Sequence, residues 1–433
     1  MGDGTTVELD VEVAVVGAGL AGLAAATVAA RAGASVVVYD VRCAGGRARS
    51  DERDGFIFNQ GPHALYRAGA GVGVLDRLGV RFEGSLPHPV AAGYREATGE
   101  LGVLPSSPAS LLRSPLVGIG DKVRLGRLLG RLPKLEAAPL ARLSAAEWIE
   151  TLGLTSNGAA VLSALTRVAT YTSDLRFVSA DAAVGQLQLA IEGNVLYLDG
   201  GWQTLVDGLV AAASAAGVRL FEGERVTAVQ AGKQGTWDVS TPTVTVRAGS
   251  VVIAAGGPAA ARAMLSGAPD WGLGAAATAT CLDLGLSSLP ATRVAYGLDE
   301  PLYFSTHSPN ARLAHSGGAV VHVMRYGART SEEDRAELWT LARRCGVGDD
   351  EVVTERFLHQ MTVCHALPRP GAGLAGRPAT DATGSFGVFL AGDWVGPVGL
   401  LADGALASGE AAGRAAAKRA MSVRAPIGAM VER

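Results

Sequence analysis

Residues 13–33 read VAVVGAGLAGLAAATVAARAG, and the first eighteen of them carry no charge. Such a stretch suits a membrane helix, a secretory signal, or a strand, turn and helix. Eighteen uncharged residues sit at the length threshold of a membrane span. The order of residue types argues otherwise. Val13, Val15 and Val16 make a β-branched run fitted to a buried parallel strand, and the segment after them is mostly Ala with spaced Gly. Gly17, Gly19 and Gly22 would weaken one continuous helix. Glu8, Asp10 and Glu12 precede the stretch, where a secretory signal carries a basic start. A strand, a tight glycine turn and a helix account for every feature.

The spacing Gly17-x-Gly19-x-x-Gly22 has a physical purpose. The first glycine permits the turn, the second lets a pyrophosphate approach the backbone, and the third lets the helix pack on its strand. The helix then begins at Leu20 and Ala21 with its amino end toward the phosphates. A second strand, SVVVYD, ends at Asp40, where an acid can hydrogen-bond the ribose hydroxyls and repel the extra phosphate of NADP. These features together predict a dinucleotide site.

The remaining composition mostly excludes. With 433 residues, 48% hydrophobic and 18% charged, the chain can bury a large core in two domains, or in one α/β domain with a subdomain. A net charge of −3, few aromatics and no long basic run give no sign of nucleic acid binding. Cys43, Cys281, Cys345 and Cys364 form no CxxC pair, so neither a metal centre nor a disulfide framework is expected, and reduced cytoplasmic thiols fit best.

After Asp40 come Val41, Arg42 and the run CAGGRARS, then DGFIFNQGPHALY. This continuation resembles the flavin-containing amine oxidase and phytoene desaturase superfamily. The resemblance assigns ribose binding to Asp40 and phosphate contact to Arg47 beside Gly46, a role that suits a guanidinium. It sets Gly61, Pro62 and His63 close to the flavin ring. A second match, GVFLAGDWVGPVGLLADGALASGEAAGRAAA, lies near the other end. There the family holds the flavin with residues that correspond to Gly392, Asp393, Leu401 and Ala402. A third, YLDGGWQTLVDGLVAAASAAGVRLFEGERVTAVQ, implies that the Val226 backbone meets the adenine. GSVVIAAGGPAAARAML looks like a return strand and a turn near the cofactor.

The resemblance therefore implies an α/β fold with FAD, bound non-covalently, in a discontinuous Rossmann-like domain of residues 1–85, 190–265 and 385–433. A mixed α+β substrate domain would use residues 86–189 and 266–384. Within it, SAAEWIETLGL opens with Ser144 and Glu147 in capping-box spacing, and ATATCLDLGL and GGAVVHVMRY alternate as strands do. Residues 111–135 carry six Arg or Lys among leucines and a single acid, Asp121. That segment reads as a solvated basic helix face, with peripheral contact to a membrane as the alternative.

Family membership implies hydride transfer from a C–H bond to FAD. Three enzyme classes compete: desaturases, amine or amino-acid oxidases, and protoporphyrinogen oxidases. The expectation leans to desaturase-like oxidation of a small, largely apolar or secondary-metabolic substrate. Many amine oxidases place a lysine near the flavin from a substrate-domain strand, whereas ATATCLDLGL has Thr280 and Cys281, and none of Lys122, Lys134, Lys233 and Lys418 substitutes well. His63 and Trp394 are the catalytic candidates, ahead of Tyr303 and His307. Cys364 lies where some relatives form a covalent flavin link, although a plain buried thiol is the simpler reading. The non-enzymatic alternative is a prenyl-binding protein like the Rab GDP-dissociation inhibitors.

Overall fold

In the computed structural model, which describes residues 8–105 and 107–428, the opening stretch is a strand, a turn and a helix. The first half of the chain runs β1 (Glu8–Val16), α1 (Leu20–Arg31), β2 (Val36–Asp40), β3 (Phe56–Asn59), β4 (Ala92–Arg95) and β5 (Glu100–Val103). Helices α2 (Pro108–Arg113), α3 (Ile119–Arg131), α4 (Ser156–Thr170), α5 (Ala180–Gly193) and α6 (Gln203–Ala215) follow. Then come β6 (Arg219–Glu222), β7 (Ala228–Ala231), β8 (Trp237–Ser240), β9 (Thr245–Ile253) and β10 (Ala277–Leu286). The chain closes with β11 (Val294–Gly297), β12 (Leu302–Thr306), β13 (Ala319–Tyr326), β14 (Val352–Cys364), β15 (Val388–Leu390) and α7 (Leu401–Gly428).

One sheet has the order β6-β2-β1-β9-β8-β7, with β15 also paired to β9. The pairs β6/β2, β2/β1, β1/β9 and β9/β15 are parallel, so strands from both ends of the chain lie side by side. Val13, Val15, Val37, Val38, Val251 and Val252 are fully buried, as strands covered on both faces require. Helix α1 owes its Ala-rich composition to α7. A Cβ on Gly409 or Gly413 of α7 would sit 2.3 or 2.4 Å from the carbonyl oxygens of Ala21 and Ala25. Only small residues let the two backbones come so near.

The second sheet, β14-β10-β13-β12-β11-β4-β5, is antiparallel except where β11 runs parallel to β4. Every residue of β13 is buried. Ser144 and Glu147 form the capping box, with Glu147 N donating to Ser144 Oγ at 3.1 Å and Ser144 N to Glu147 Oε2 at 2.7 Å. Residues 111–135 divide between α2 and α3. Among the described residues no helix is long and apolar enough to cross a membrane.

Candidate cofactor and active site

A cleft of about 760 Å³ runs from the carboxyl ends of β1 and β2 to the face of the second sheet. At one end stands the amino terminus of α1. Its N-cap is Gly19, with no capping side chain and no acid in the first turn, so the free N–H groups face the cleft. Gly17 has φ +103°, and a Cβ there would lie 2.9 Å from the Ala254 carbonyl, so the turn excludes any larger residue. Asp40 accepts from Ala18 N at 2.7 Å and Arg42 N at 2.9 Å, which fixes its carboxylate beside the turn.

Farther along, Arg47 and Asp393 meet across the cleft at 3.1 Å, although 346 residues separate them. His365 joins them through Nδ1, 2.8 Å from Asp393 Oδ1 and 3.1 Å from Arg47 Nη2. Burial pushes the Asp393 carboxyl up, but the Arg47 charge and the His365 hydrogen bond outweigh it and hold the group well below the usual carboxylate range.

The other end is built around the turn after β3. His63 Nδ1 lies 3.1 Å from the Gly61 carbonyl, so that nitrogen carries the proton and Nε2 keeps its lone pair. Burial lowers the His63 pKa to about 4, against a partial rise from the Gly61 carbonyl, and His322 and Arg47 lower it further. The ring packs edge-on to Trp202 at 4.9 Å, and Tyr171 donates to the Pro62 carbonyl at 2.6 Å. Leu65, Tyr66, Met324, Met361 and Val363 complete this wall.

Of the residues singled out in the sequence, the cleft is lined by Gly17, Gly19, Leu20, Ala21, Asp40, Val41, Arg42, Gly46, Arg47, Pro62, His63, Gly392, Asp393, Trp394, Leu401 and Ala402. Gly22, Gly61 and Val226 do not line it. Gly22 instead packs against the turn, where a Cβ would lie 1.8 Å from the Gly17 carbonyl oxygen. Gly61 sits over Met361 and Cys281, and Val226 is in the core while its neighbour Arg225 lines the cleft. Trp394 lines the cleft but is 2% exposed and packs on Trp271 at 5.1 Å. Tyr303 and His307 lie deeper: Tyr303 is 3.5 Å from the Tyr197 hydroxyl, and His307 stacks on Tyr197 at 3.7 Å. Burial raises the Cys364 thiol, which donates to the Ala366 carbonyl at 3.4 Å. All four cysteines are free thiols.

Sequence reasoning missed His365, Arg225, Trp202, Tyr171 and Asp403, all of which line the cleft. His365 follows the one cysteine flagged near the closing block, and Arg225 precedes Val226, so each lay one residue from a residue already in view. Asp403 likewise follows Ala402, and Trp202 falls inside the third matching block, whereas Tyr171 had no local signal.

A largely parallel sheet with an uncapped glycine turn at its carboxyl edge defines a dinucleotide-binding fold. The chain belongs to the flavin-containing amine oxidoreductase family, whose model matches residues 20–417. No curated protein matches the sequence. Among solved structures, putrescine oxidase bound to putrescine is similar at 18% identity and a TM-score of 0.71, covering 97% of this chain and 100% of its own. Cyclohexylamine oxidase from Brevibacterium oxydans IH-35A is 17% identical, with a TM-score of 0.70 over 96% of this chain and 100% of its own. A protein from Exiguobacterium sp. 255-15, described provisionally as a protoporphyrinogen oxidase, is 16% identical with a TM-score of 0.72 over 94% and 98%. At this identity the likeness is one of fold.

The chain is thus an FAD-dependent oxidoreductase, which sets aside the prenyl-binding alternative. The donor set of the cleft fits that cofactor. Gly19 leaves open space where its Cβ would point, beside free N–H groups that suit a diphosphate. Arg47 adds a guanidinium, and Asp40 retains acceptor capacity for hydroxyl groups.

Proposed function

We propose that this protein oxidises a small, largely apolar substrate in a desaturase-like reaction, using FAD held without a covalent bond. The observation that carries the reading is the wall around His63. Leu65, Tyr66, Tyr171, Met324, Met361 and Val363 form it, and among the described residues no lysine lines the cleft. The apolar side chains would bind and orient such a substrate and exclude water from it.

In this reading Asp40 would bond ribose, with Val41 and Arg42 beside it. Arg47 and the amino end of α1 hold the pyrophosphate. Gly392, Asp393, Leu401 and Ala402 would hold the flavin half, with Pro62 and His63 beside the ring. FAD supplies a two-electron acceptor for hydride. His63, neutral with Nε2 unprotonated, would accept a proton from the carbon beside the one that loses hydride, so that both hydrogens removed in forming a C=C bond are accounted for. Trp394 supports this end of the cleft by packing.

A second reading, amine oxidation, has one specific support. Asp403 is a buried carboxyl lining the cleft near Tyr66, and a carboxylate can pair with an ammonium group. Anaerobic mixing separates the two. Polyene, porphyrinogen, amine and amino-acid substrates are each mixed with the purified protein, and loss of the flavin absorbance is followed. Bleaching by apolar substrates without nitrogen supports the desaturase reading, and bleaching by simple primary amines alone overturns it. Acid denaturation should release all the yellow FAD; flavin retained on the chain would mean a covalent link.

A further inference from the structure

The segment 108–134 is strongly one-sided in charge. Its only acid, Asp121, is turned inward, where its carboxylate accepts from Thr155 N at 3.0 Å and from the Thr155 hydroxyl. Outward stand Arg113, Arg124, Arg127, Arg131 and Lys134, all exposed. Among these cations lie three large apolar side chains that nothing covers: Leu112 is 76% exposed, Ile119 83% and Val123 47%. They form one patch. Ile119 and Val123 are one helical turn apart on α3, and Lys122 of the same helix bonds the Leu112 carbonyl of α2 at 2.9 Å.

We propose that this outer face of α2 and α3 docks on an anionic lipid bilayer. Isolated apolar residues on a surface need no explanation, but a cluster ringed by one sign of charge has the two components that interfacial binding uses. The arginines meet anionic headgroups while Leu112, Ile119 and Val123 enter the acyl boundary. A nucleic acid backbone would use the cations and leave the apolar trio in water. The inward turn of Asp121 removes the segment's own carboxylate from this face.

The position of the face gives the docking a purpose. Pro133, in the turn that ends α3, lies on the rim of a recess of about 330 Å³, and Leu400 forms a wall shared by that recess and the main cleft. Gln188 ties the turn to α5 by donating to the Leu132 and Leu135 carbonyls at 2.8 and 2.7 Å. The recess thus adjoins both the docking segment, through Pro133, and the main cleft, through Leu400. The docking stands or falls independently of which substrate is oxidised.

Flotation of the FAD-loaded full chain with vesicles tests the proposal, comparing neutral phosphatidylcholine with phosphatidylcholine containing about 30% phosphatidylglycerol. Binding should be confined to the anionic vesicles and weaken in high salt. Leu112→Ser/Ile119→Ser/Val123→Ser and Arg127→Glu/Arg131→Glu should each lower the partition coefficient at least about tenfold, with FAD content and melting temperature unchanged. The proposal is overturned if the wild-type protein ignores anionic vesicles, floats equally with neutral ones, or floats as well in either variant. It is also overturned if the face mediates self-association, seen as dimers that either variant abolishes, or binds heparin or DNA while ignoring vesicles.

Discussion

Gly19 and Gly22 stand three residues apart in one motif and are glycine for opposite reasons. A methyl at Gly19 meets nothing within 4 Å and would stand in the cleft, whereas one at Gly22 would strike the Gly17 carbonyl oxygen at 1.8 Å. Gly19→Ala should therefore fold normally, with an unchanged melting temperature, and lose FAD affinity by about tenfold or more in a fluorescence titration. Gly22→Ala should lower stability by about 1–3 kcal/mol or more, read by thermal melts of protein with and without FAD. Similar melts for the two variants would contradict this division. At His63 the prediction concerns pH. Its folded pKa of about 4 lies below the ordinary value of 6.5, so the imidazole stays neutral throughout neutral pH and becomes charged only near pH 4. The rate of flavin reduction should show no inflection near 6.5 that His63→Gln removes, while that variant lowers the rate on the order of a hundredfold. An inflection at 6.5 that vanishes in the variant would show a solvated, titrating histidine.

Among the elements, α7 carries the clearest conflict between local and tertiary forces. Asp403 lies in its first turn, where the helix dipole favours a negative charge and Gly71 N donates to its carboxylate at 2.7 Å. Burial wins nonetheless, and raises the carboxyl from 3.8 to about 6. The folded protein then binds this proton more tightly than the unfolded chain. Stability from this group is full below pH 4, falls as pH rises from about 4 to 6, and stays lower above that, by about 3 kcal/mol in all. Asp403→Asn should remove the penalty, so its gain in melting temperature over the wild-type protein should be larger at pH 8 than at pH 4. An equal gain at both values would place the cost elsewhere. The small residues of α1 and α7 were legible as helix in the sequence. That they are small because the two helices cross at backbone contact was not, since each sequence is silent about its partner.

At the scale of the whole molecule, one arginine ties the second sheet to the loop that carries His63. Arg356 on β14 bonds Asp283 of β10 at 2.6 Å through Nη2, Asp51 at 2.7 Å through Nη1, and the Asn59 carbonyl at the end of β3. Asp283 also lies 2.6 Å from His322 Nδ1. Burial alone would raise the Asp283 carboxyl, but His322 and Arg356 hold it below its ordinary value. Arg356→Met leaves Asp283 buried with less compensation and should cost about 3–5 kcal/mol in denaturant melts, with Asp283→Asn in the same chain recovering part of it. Additive losses in the double variant would mean that the two groups do not act as a pair.

The sequence by itself determined the parts that short-range geometry dictates: the β1 strand and its glycine turn, the acid at the end of β2, the capping box at Ser144, and the three blocks that carry the family resemblance. Each of these is fixed by steric or hydrogen-bonding rules acting over a few residues. The tertiary structure alone decided which distant groups meet. Arg47, His365 and Asp393 form one ion-paired corner, Arg356 clamps the His63 loop, and Tyr171, Trp202 and Asp403 join the cleft wall. Their side chains are brought together by sheet pairing and helix packing across hundreds of residues, and no local spacing encodes a contact of that range.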